Sequence, residues 1–362
     1  MPATLPTESK SKPMIAVTHD IPYKLFNTMG IAGRAAAVAV WDAPDDLPTL
    51  FSDLAGSLPA PVKPIGQGSN ILFPDGRFEG TILLSGFTVV EPIESPEAGV
   101  TFRIGAGKRL DDFIAETAAE GLWGLENLSH IPGTAGAAAV QNVGAYGVEF
   151  ADCLVAVTCY DVADRRFVTL PAGELGYGYR DSAFKHPPMR GRMIICSVDV
   201  RLSRVPAPHL DYGNLRSCLK GAVPTPLAVR EAIVATRRSK LPEITEAGSA
   251  GSFFKNPVVS VDRLSAIREK AESAGIDTSS MPVYQLADSP GHAKLSAAWL
   301  IDRSGLKGAR VRSAVTWQTQ PLVIVNADGH ATSADVKALA EHIIAEVDSR
   351  FGVRLTPEVE YL

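Results

Sequence analysis

The stretch GLENLSHIPGTAGAAAVQNVGAYG, at residues 124–147, is the most informative part of the sequence for the fold. It contains five glycines, one proline and several alanines. A backbone with such small side chains can wrap closely around a ligand. The same composition suits a tightly packed loop that leads into a helix, because small residues let neighbouring elements approach. Taken alone, the stretch leaves both interpretations open.

A second glycine-rich segment, GQGSN at residues 66–70, precedes a short apolar run that predicts a strand. Closely spaced glycines let backbone N–H groups approach an anion such as a pyrophosphate, and serine and asparagine add donors. As a dinucleotide-binding fingerprint the segment fails, because a third glycine would be needed where Ile71 stands. By itself it is better interpreted as a structural turn.

Three further segments carry polar side chains suited to catalysis. YGYRDS, at 177–182, contains Arg180, whose planar guanidinium suits a carboxylate, although a surface Arg–Asp pair is the commoner explanation. AGSAGSFFKNP, at 247–257, places Ser252 beside two phenylalanines, which can hold a proton donor away from water; a plain turn is the alternative. Glu358 lies near the C-terminus, where a lone carboxylate is normally just a solvated charge.

The 362 residues give room for two or three domains. The net charge of -5 comes without a block of like charges, which disfavours a nucleic-acid or anionic-membrane surface. No apolar run approaches the roughly 20 residues that a membrane span needs. We interpret residues 1–14 as a loosely ordered polar tail, since they lack the apolar stretch of a secretory signal. The four cysteines match neither a zinc site nor a redox pair, so we expect reduced thiols in or near a core and a cytoplasmic protein.

Apolar spacing predicts helices at about 110–120, from Pro226 to about 240, and after Ser333 to near 352. Apolar runs predict strands at 80–84, 100–104, 193–202, 321–325 and 353–355. The PAP sequence at 206–208 indicates a domain boundary nearby. Strands that alternate with helices in both halves indicate a mixed α/β or α+β architecture.

In this order, the segments resemble the UDP-N-acetylenolpyruvoylglucosamine reductase family over most of the chain, from about residue 22 to 362. The resemblance rests on GQGSNILF, GLENLSHIPGTAGAAAVQNVGAYGVE, YGYRDSAFK, RRSKLPE, AGSFFKNPVVS, KLSAAWLIDRSGLKG and PEVEYL. The IPG to GAYG segment and GSFFKNP are highly specific, whereas the glycine turn is not. A Tyr212-Gly213 pair between YRDS and RRSK is similar to the subtype with a tyrosine-bearing substrate loop.

The resemblance implies an α+β fold: an FAD-binding unit of the vanillyl-alcohol-oxidase (PCMH) type, made of two α+β subdomains, and a C-terminal α+β substrate-binding domain. On this chain we expect a flexible tail at 1–14 and the FAD-binding unit at 15–205, divided near residue 90. A connecting segment with the substrate loop and a helix would follow at 206–240. The substrate-binding domain would span 241–362, with its C-terminal strand returning to the active site.

The resemblance further implies tight, non-covalent FAD, NADPH as reductant and UDP-N-acetylenolpyruvoylglucosamine as substrate, in a cytoplasmic step of peptidoglycan precursor synthesis. NADPH would reduce the flavin and leave, and the enolpyruvyl sugar nucleotide would take its place. The partners are therefore small molecules; we expect a monomer without metal, nucleic acid or membrane.

By the same resemblance, Arg180 and Glu358 polarise the substrate carboxylate and Ser252 donates the proton. The implied cofactor contacts are Gly66, Gln67, Gly68, Ser69, Asn70, Ile131, Pro132, Gly133, Thr134, Gly136, Gln141, Asn142 and Tyr146. The implied substrate contacts are Tyr179, Tyr212, Lys240 and Asn256, the last three at positions that hold the UDP diphosphate or the NADPH phosphate.

Two alternatives remain at this point. One is another flavin oxidase of the same fold, which would oxidise a hydroxy acid or a sugar with oxygen. The other is a catalytically inactive protein that binds FAD or a UDP-sugar. The combination of Ser252, Arg180 and Glu358 argues against both, because only a reductive protonation needs this acid.

Overall fold

The computed structural model describes residues 15–93, 99–213, 215–219, 221, 223–286 and 289–362, so the tail expected at 1–14 lies outside the described residues. The strands in the first part of the chain are β1 (Val17–Pro22), β2 (Gly33–Trp41), β3 (Val62–Ile65), β4 (Ile71–Leu72), β5 (Gly76–Ser85), β6 (Val90–Ile93), β7 (Val100–Gly105), β8 (Gly144–Ala145), β9 (Val148–Glu149), β10 (Leu154–Asp161), β11 (Arg166–Pro171) and β12 (Met193–Leu202). Those in the second part are β13 (Gly248–Ser252), β14 (Val258–Ser260), β15 (Val283–Gln285), β16 (His292–Leu295), β17 (Arg310–Val311), β18 (Ala314–Thr316), β19 (Val323–Asn326) and β20 (Glu360–Tyr361). The helices are α1 (Asp46–Ser52), α2 (Leu110–Ala119), α3 (Ala135–Gln141), α4 (Leu215–Cys218), α5 (Pro226–Arg238), α6 (Leu264–Ser273), α7 (Ala297–Arg303) and α8 (Ser333–Phe351).

The first sheet has the strand order β1-β2-β5-β3. β5 lies parallel to both β2 and β3, while β1 pairs antiparallel with β2 at the edge. The sequence of β2 explains its central place: GRAAAVAVW is buried along most of its length, as expected for a strand covered on both faces. Tyr23, Phe26 and Phe73 form an aromatic cluster against this sheet.

The second sheet is antiparallel throughout, with the order β11-β10-β12-β7-β6. Helices α2 and α3 contribute to its core, where Leu110, Phe113 and Ile114 of α2 are buried, and the predicted helix is thereby confirmed. Trp41 and Leu83 of the first sheet belong to the same core. The two sheets of the first half therefore share one hydrophobic interior.

The C-terminal half combines the sheet β13-β19-β18-β17 and the small sheet β14-β16-β15 with α6, α7 and α8. Helix α8 confirms the predicted one: Thr332 and Asp335 form a capping box at its start, and Gly352 ends it in a left-handed conformation. The core of this half also receives Met29 and Leu72 from the first half of the chain.

One predicted strand is wrong. Residues 353–355 form no strand, although Val353 and Leu355 are buried on either side of an exposed arginine. This alternation resembles a strand, but here it places two side chains in a core without a partner strand. The chain forms a strand only later, at β20, which pairs parallel with β4.

The four cysteines are free, as predicted, and Cys159 and Cys196 are buried in the core. Burial raises the pKa of the Cys196 thiol to about 12. Within the described ranges, no helix combines the length and apolarity required to cross a membrane.

Candidate active site

Two adjoining cavities open where the three larger sheets meet. They share part of their wall, and the shared residues come from the GQGSN loop and from helix α3 with its preceding cap: Ser69, Asn70, Thr134, Ala137 and Gln141. The two glycine-rich segments singled out in the sequence therefore meet at one site.

The GQGSN loop forms one side of the first cavity and is tied to the residues before α3. The Gln67 side-chain oxygen accepts the Gly133 N–H at 2.8 Å, and the Ser69 hydroxyl donates to the Pro132 carbonyl at 3.1 Å. Apolar side chains, including Trp41, line this cavity on other sides.

Glycine is required at two positions of the loop. A Cβ at Gly66 would stand 2.9 Å from the Thr134 hydroxyl oxygen and the Ala137 methyl carbon. Gly68 has a φ of +64°, and a Cβ there would meet the Phe26 carbonyl. Within the part of the chain that the structure describes, the backbone N–H groups of residues 68–70 donate no hydrogen bond. These donors are thus available to a ligand.

The second cavity contains the three predicted catalytic residues: Arg180, Ser252 and Glu358. The Arg180 Nε lies 2.9 Å from the Glu358 Oε1, and both side chains are largely buried. The Gln141 amide donates to the same oxygen at 3.1 Å. Ser252 ends β13 with its side chain exposed to the cavity.

Backbone pairing carries Glu358 into this cavity. Its N–H donates to the Phe253 carbonyl at 2.8 Å, and its carbonyl accepts from the Asn70 side chain at 3.2 Å. Glu360 then donates to the Asn70 carbonyl at 3.0 Å, where β20 meets β4. The C-terminal segment therefore lies between the GQGSN loop and the strand that bears Ser252.

Arg180 sits in a backbone conformation that is uncommon for a side chain of its size. Its φ is +56°, in the left-handed region. Its guanidinium also donates to the carbonyls of Asn142 and Gly144. The backbone and the side chain of Arg180 are thus both fixed by neighbours.

The predicted substrate residues Tyr179, Tyr212 and Asn256 lie outside the walls of both cavities, in two polar and aromatic groups. The Tyr179 hydroxyl accepts the Asn256 N–H at 3.2 Å, and the Lys294 ammonium lies 4.6 Å from the centre of the Tyr179 ring. Burial lowers the pKa of Lys294. Tyr212 stacks on Tyr284 with ring centres 6.2 Å apart.

Known proteins share this architecture. Residues 36–170 match the sequence family described as an FAD binding domain, and residues 243–362 match the C-terminal domain of UDP-N-acetylenolpyruvoylglucosamine reductase. The UDP-N-acetylenolpyruvoylglucosamine reductase of Chromobacterium violaceum is 40% identical over 346 residues, which cover 94% of this chain and 97% of that protein. The chain belongs to the UDP-N-acetylenolpyruvoylglucosamine reductase family.

Further relatives agree with this membership. The UDP-N-acetylenolpyruvoylglucosamine reductase of Photorhabdus laumondii is 38% identical over 94% of this chain and 95% of its own length. The crystal structure of the reductase from Thermus caldophilus superposes with a TM-score of 0.64 at 25% identity, covering 96% of this chain and 98% of that one. The predicted family, its α+β fold and its FAD-binding unit are confirmed.

The walls of the cavities fit FAD. The free amides at 68–70 suit a pyrophosphate, and the glycines at 66 and 68 let the loop that carries these amides pack against Thr134 and Phe26. Of the thirteen predicted cofactor contacts, eleven line one or both cavities. The exceptions are Asn142 and Tyr146. The Asn142 side chain instead donates to Glu149 at 2.6 Å and accepts the Ala151 N–H at 3.0 Å, which commits it to the protein interior.

Lys240, expected at a phosphate, lines neither cavity. Helix α5 ends at Arg238, and Lys240 is exposed beyond that end, where its carbonyl accepts the Thr319 hydroxyl. One turn earlier, Arg237 lines the second cavity. The sequence offered a signal for Arg237, because it lies four residues after the buried Ile233 and thus on the apolar face of the helix.

Arg237 is a largely buried cation. Its Nε donates to the His130 carbonyl at 3.2 Å, and within the described residues it forms no ion pair with a carboxylate. Burial lowers its pKa, an effect that the charges of Tyr146 and Asp111 oppose. An anionic ligand group in this cavity would compensate its charge.

Proposed function

We propose that the chain reduces UDP-N-acetylenolpyruvoylglucosamine to UDP-N-acetylmuramate with NADPH, by way of bound FAD, in peptidoglycan precursor synthesis. The observation that carries this proposal is the ion pair of Arg180 and Glu358 in the same cavity as Ser252. The proposal includes a monomer in the cytoplasm and the domain division given above, with substrate binding assigned to 241–362.

FAD, when bound, supplies the hydride that it has accepted from NADPH. The protein's part begins with holding it: the amides at 68–70 would bind its phosphates, and the backbone at 131–134 would lie against it in the second cavity. Arg237 adds a positive charge to the same cavity. These groups hold a flat, anionic cofactor without a covalent bond.

Arg180 and Glu358 would stabilise the charge that forms in the substrate. Hydride addition to the terminal carbon of the enolpyruvyl group places negative charge on the adjacent carbon and its carboxylate. The guanidinium of Arg180 is fixed by Glu358 and by the Gly144 carbonyl, so it needs no reorganisation when this charge appears. Glu358 restrains the orientation of Arg180 and keeps its second carboxylate oxygen for the substrate.

Ser252 would deliver the proton to the adjacent carbon. A serine hydroxyl is a weak acid and protonates only a strongly basic carbanion, held close and away from water. The residue before it, Gly251, has a φ of +72° and no atom within 4 Å of its virtual Cβ, so the approach to the hydroxyl is open. The fully buried Phe253 follows on the other side.

Tyr212, Lys240 and Asn256 would bind the phosphates of the two ligands in turn, and Tyr179 would be a further substrate contact. Tyr212 and Tyr284 together present a stacked pair of exposed rings. Lys240 could contribute only to a part of the ligand that extends outside the cavities, because its side chain is exposed.

A flavin titration tests the proposal. The purified protein should be yellow, lose its flavin absorbance on anaerobic addition of NADPH, and regain it when the enolpyruvyl sugar nucleotide is added. Recovery with oxygen but not with the sugar nucleotide would indicate an oxidase. A yellow protein that NADPH does not bleach would indicate a binding protein, and either result would overturn the proposal.

A further inference from the structure

Lys185 lies behind the predicted catalytic pair and has no role in the mechanism above. Its ammonium donates to the Gln141 side-chain oxygen at 2.7 Å and to the Arg180 carbonyl at 3.2 Å. The Gln141 amide nitrogen then donates to Glu358 Oε1 at 3.1 Å. A chain of hydrogen bonds therefore runs from Lys185 through Gln141 to Glu358.

Lys185 determines which groups donate and which accept along this series of hydrogen bonds. An ammonium group has three donors and no acceptor, so it must take the oxygen of the Gln141 amide. The NH₂ group of the same amide is thereby turned toward Glu358. Glu358 Oε1 then receives hydrogen bonds from Gln141 and Arg180, which together fix the orientation of the carboxyl group. Without the ammonium, the amide could rotate and present its oxygen to Glu358, and one of these two hydrogen bonds would be lost.

Lys185 also supports the backbone of Arg180. The Arg180 carbonyl accepts from Lys185 and, at 3.4 Å, from Lys255 of the C-terminal half. Two ammonium groups on one carbonyl help to hold the left-handed backbone that aims the guanidinium at Glu358.

The charges around this cluster shift the pKa of Lys185 in both directions. Burial lowers the pKa of Lys185, and the nearby Lys255 adds to that effect. Glu360, Glu358 and Asp181 act in the opposite direction. The groups that face Glu358 are Arg180, Lys185 and Tyr179.

We propose that Lys185 is a positioning residue for the reduction of the enolpyruvyl substrate: through the Gln141 amide and the Arg180 backbone, it holds Glu358 and Arg180 in the orientation that the substrate requires. This inference rests on the proposed function. It assigns Lys185 no contact with FAD, NADPH or substrate. Its effect should therefore appear in the half-reaction that uses Glu358 and not in the reduction of the flavin.

The test compares Lys185→Met and Lys185→Arg in FAD-loaded enzyme by anaerobic stopped flow. We expect Lys185→Met to be reduced by NADPH at close to the wild-type rate but reoxidised by the sugar nucleotide roughly 10- to 100-fold more slowly, the scale of a misplaced catalytic group. Lys185→Arg should retain most of the rate. Lys270→Met, which removes an exposed lysine that also donates to a backbone carbonyl, is the matched control and should change neither half-reaction.

A second variant covers the case in which Lys185→Met loses FAD. Gln141→Met removes the amide through which Lys185 acts, and it should slow reoxidation by the sugar nucleotide more than reduction by NADPH. Wild-type reoxidation in Lys185→Met, equal losses in the Met and Arg variants, or wild-type reoxidation in Gln141→Met would overturn the inference. Failure of the wild-type enzyme to be reoxidised by the sugar nucleotide would instead overturn the proposed function.

Discussion

The backbone N–H of Glu358 donates to the carbonyl of Phe253 at 2.8 Å, and Phe253 directly follows Ser252. One hydrogen bond thus joins the segment with the predicted proton donor to the segment with the predicted carboxylate. The bridge between Phe254 and Pro357 continues this pairing. The C-terminal segment is therefore an ordered part of the site, whereas chain ends commonly fray.

Glu358→Gln should preserve the fold, FAD content and melting temperature, because the backbone pairing is unchanged. Reoxidation by the sugar nucleotide should slow by at least about 10²-fold, the scale of losing a positioned acid–base group. Glu360→Gln is the matched control and should be much milder, since Glu360 borders the other cavity on β20. Stopped-flow flavin absorbance measures both variants. Near-normal turnover in Glu358→Gln, or a large loss only in Glu360→Gln, would contradict the assignment.

Ser252→Ala should leave reduction of the flavin by NADPH intact and abolish its reoxidation by the sugar nucleotide, because only the second half-reaction needs the proton. Rapid-mixing absorbance resolves the two halves. Ser273→Ala, which removes an exposed hydroxyl at the end of α6, should change neither. Equal losses in both halves of Ser252→Ala would show that the donor role is wrong.

Tyr212→Phe and Lys240→Ala should weaken the binding of both NADPH and the sugar nucleotide if one phosphate-binding subsite serves both ligands. A hydrogen bond or charge contact to a phosphate is worth about 1.5–3 kcal/mol, so we expect each variant to lose roughly tenfold or more in affinity. Equilibrium titration of the oxidised enzyme with NADP⁺ and with the sugar nucleotide provides the values. Tyr212→Phe keeps the stack on Tyr284 and isolates the hydroxyl. Weaker binding of one ligand alone would argue against a shared subsite.

Arg237→Met should not destabilise the protein without FAD, because it removes a largely buried cation that has no carboxylate partner in the described residues. The rise in melting temperature on FAD binding should shrink, since the cofactor loses a compensating charge. Arg230→Met, on the same helix, is the contrast: Arg230 pairs with Asp111, so its loss should lower the stability of the apoprotein. A full FAD-induced rise in Arg237→Met would contradict this role.

Acid stability should depend in part on Asp161. Its hydrogen bonds with Arg192 lower the pKa of this carboxyl to about 2. A depressed pKa contributes stability that is present above the unfolded value of about 4 and is lost as the pH falls toward about 2. Asp161→Asn should therefore be less stable than wild type near neutral pH, and the difference should narrow through that acidic range. Urea unfolding followed across pH measures it, and a constant difference would refute the linkage.

Local patterns were sufficient for the long elements. The apolar spacing predicted α8, and the same reasoning predicted α2 and α5. The strand expected at 353–355 failed because alternating burial does not require a partner strand. Sequence reasoning could not supply that partner, since the pairing of β20 with β4 joins segments that are 289 positions apart, from Ile71 to Glu360.

The site was predictable where a motif carries the residues and unpredictable where a contact spans the fold. Arg180, Ser252 and Glu358, which the family resemblance placed in one site, line the same cavity. Lys185 stood in a quoted motif without a role, because its effect depends on an amide 44 positions away. Lys240 was predicted to bind a phosphate, but α5 ends at Arg238 and leaves Lys240 outside both cavities, whereas Arg237 lines one of them. The ends of helices are the least certain part of a sequence-based prediction.

The contact between Asn70 and Glu358 spans 288 positions and has a consequence for biosynthesis. Domains generally fold in order as a chain leaves the ribosome. The GQGSN loop and its glycine cradle will have emerged long before the carboxylate that completes the neighbouring cavity. A nascent chain can thus acquire a cofactor-binding half while it is still unable to turn over substrate. On the proposed assignment, turnover waits until Glu358 and the residues that pair with the GQGSN loop have been added.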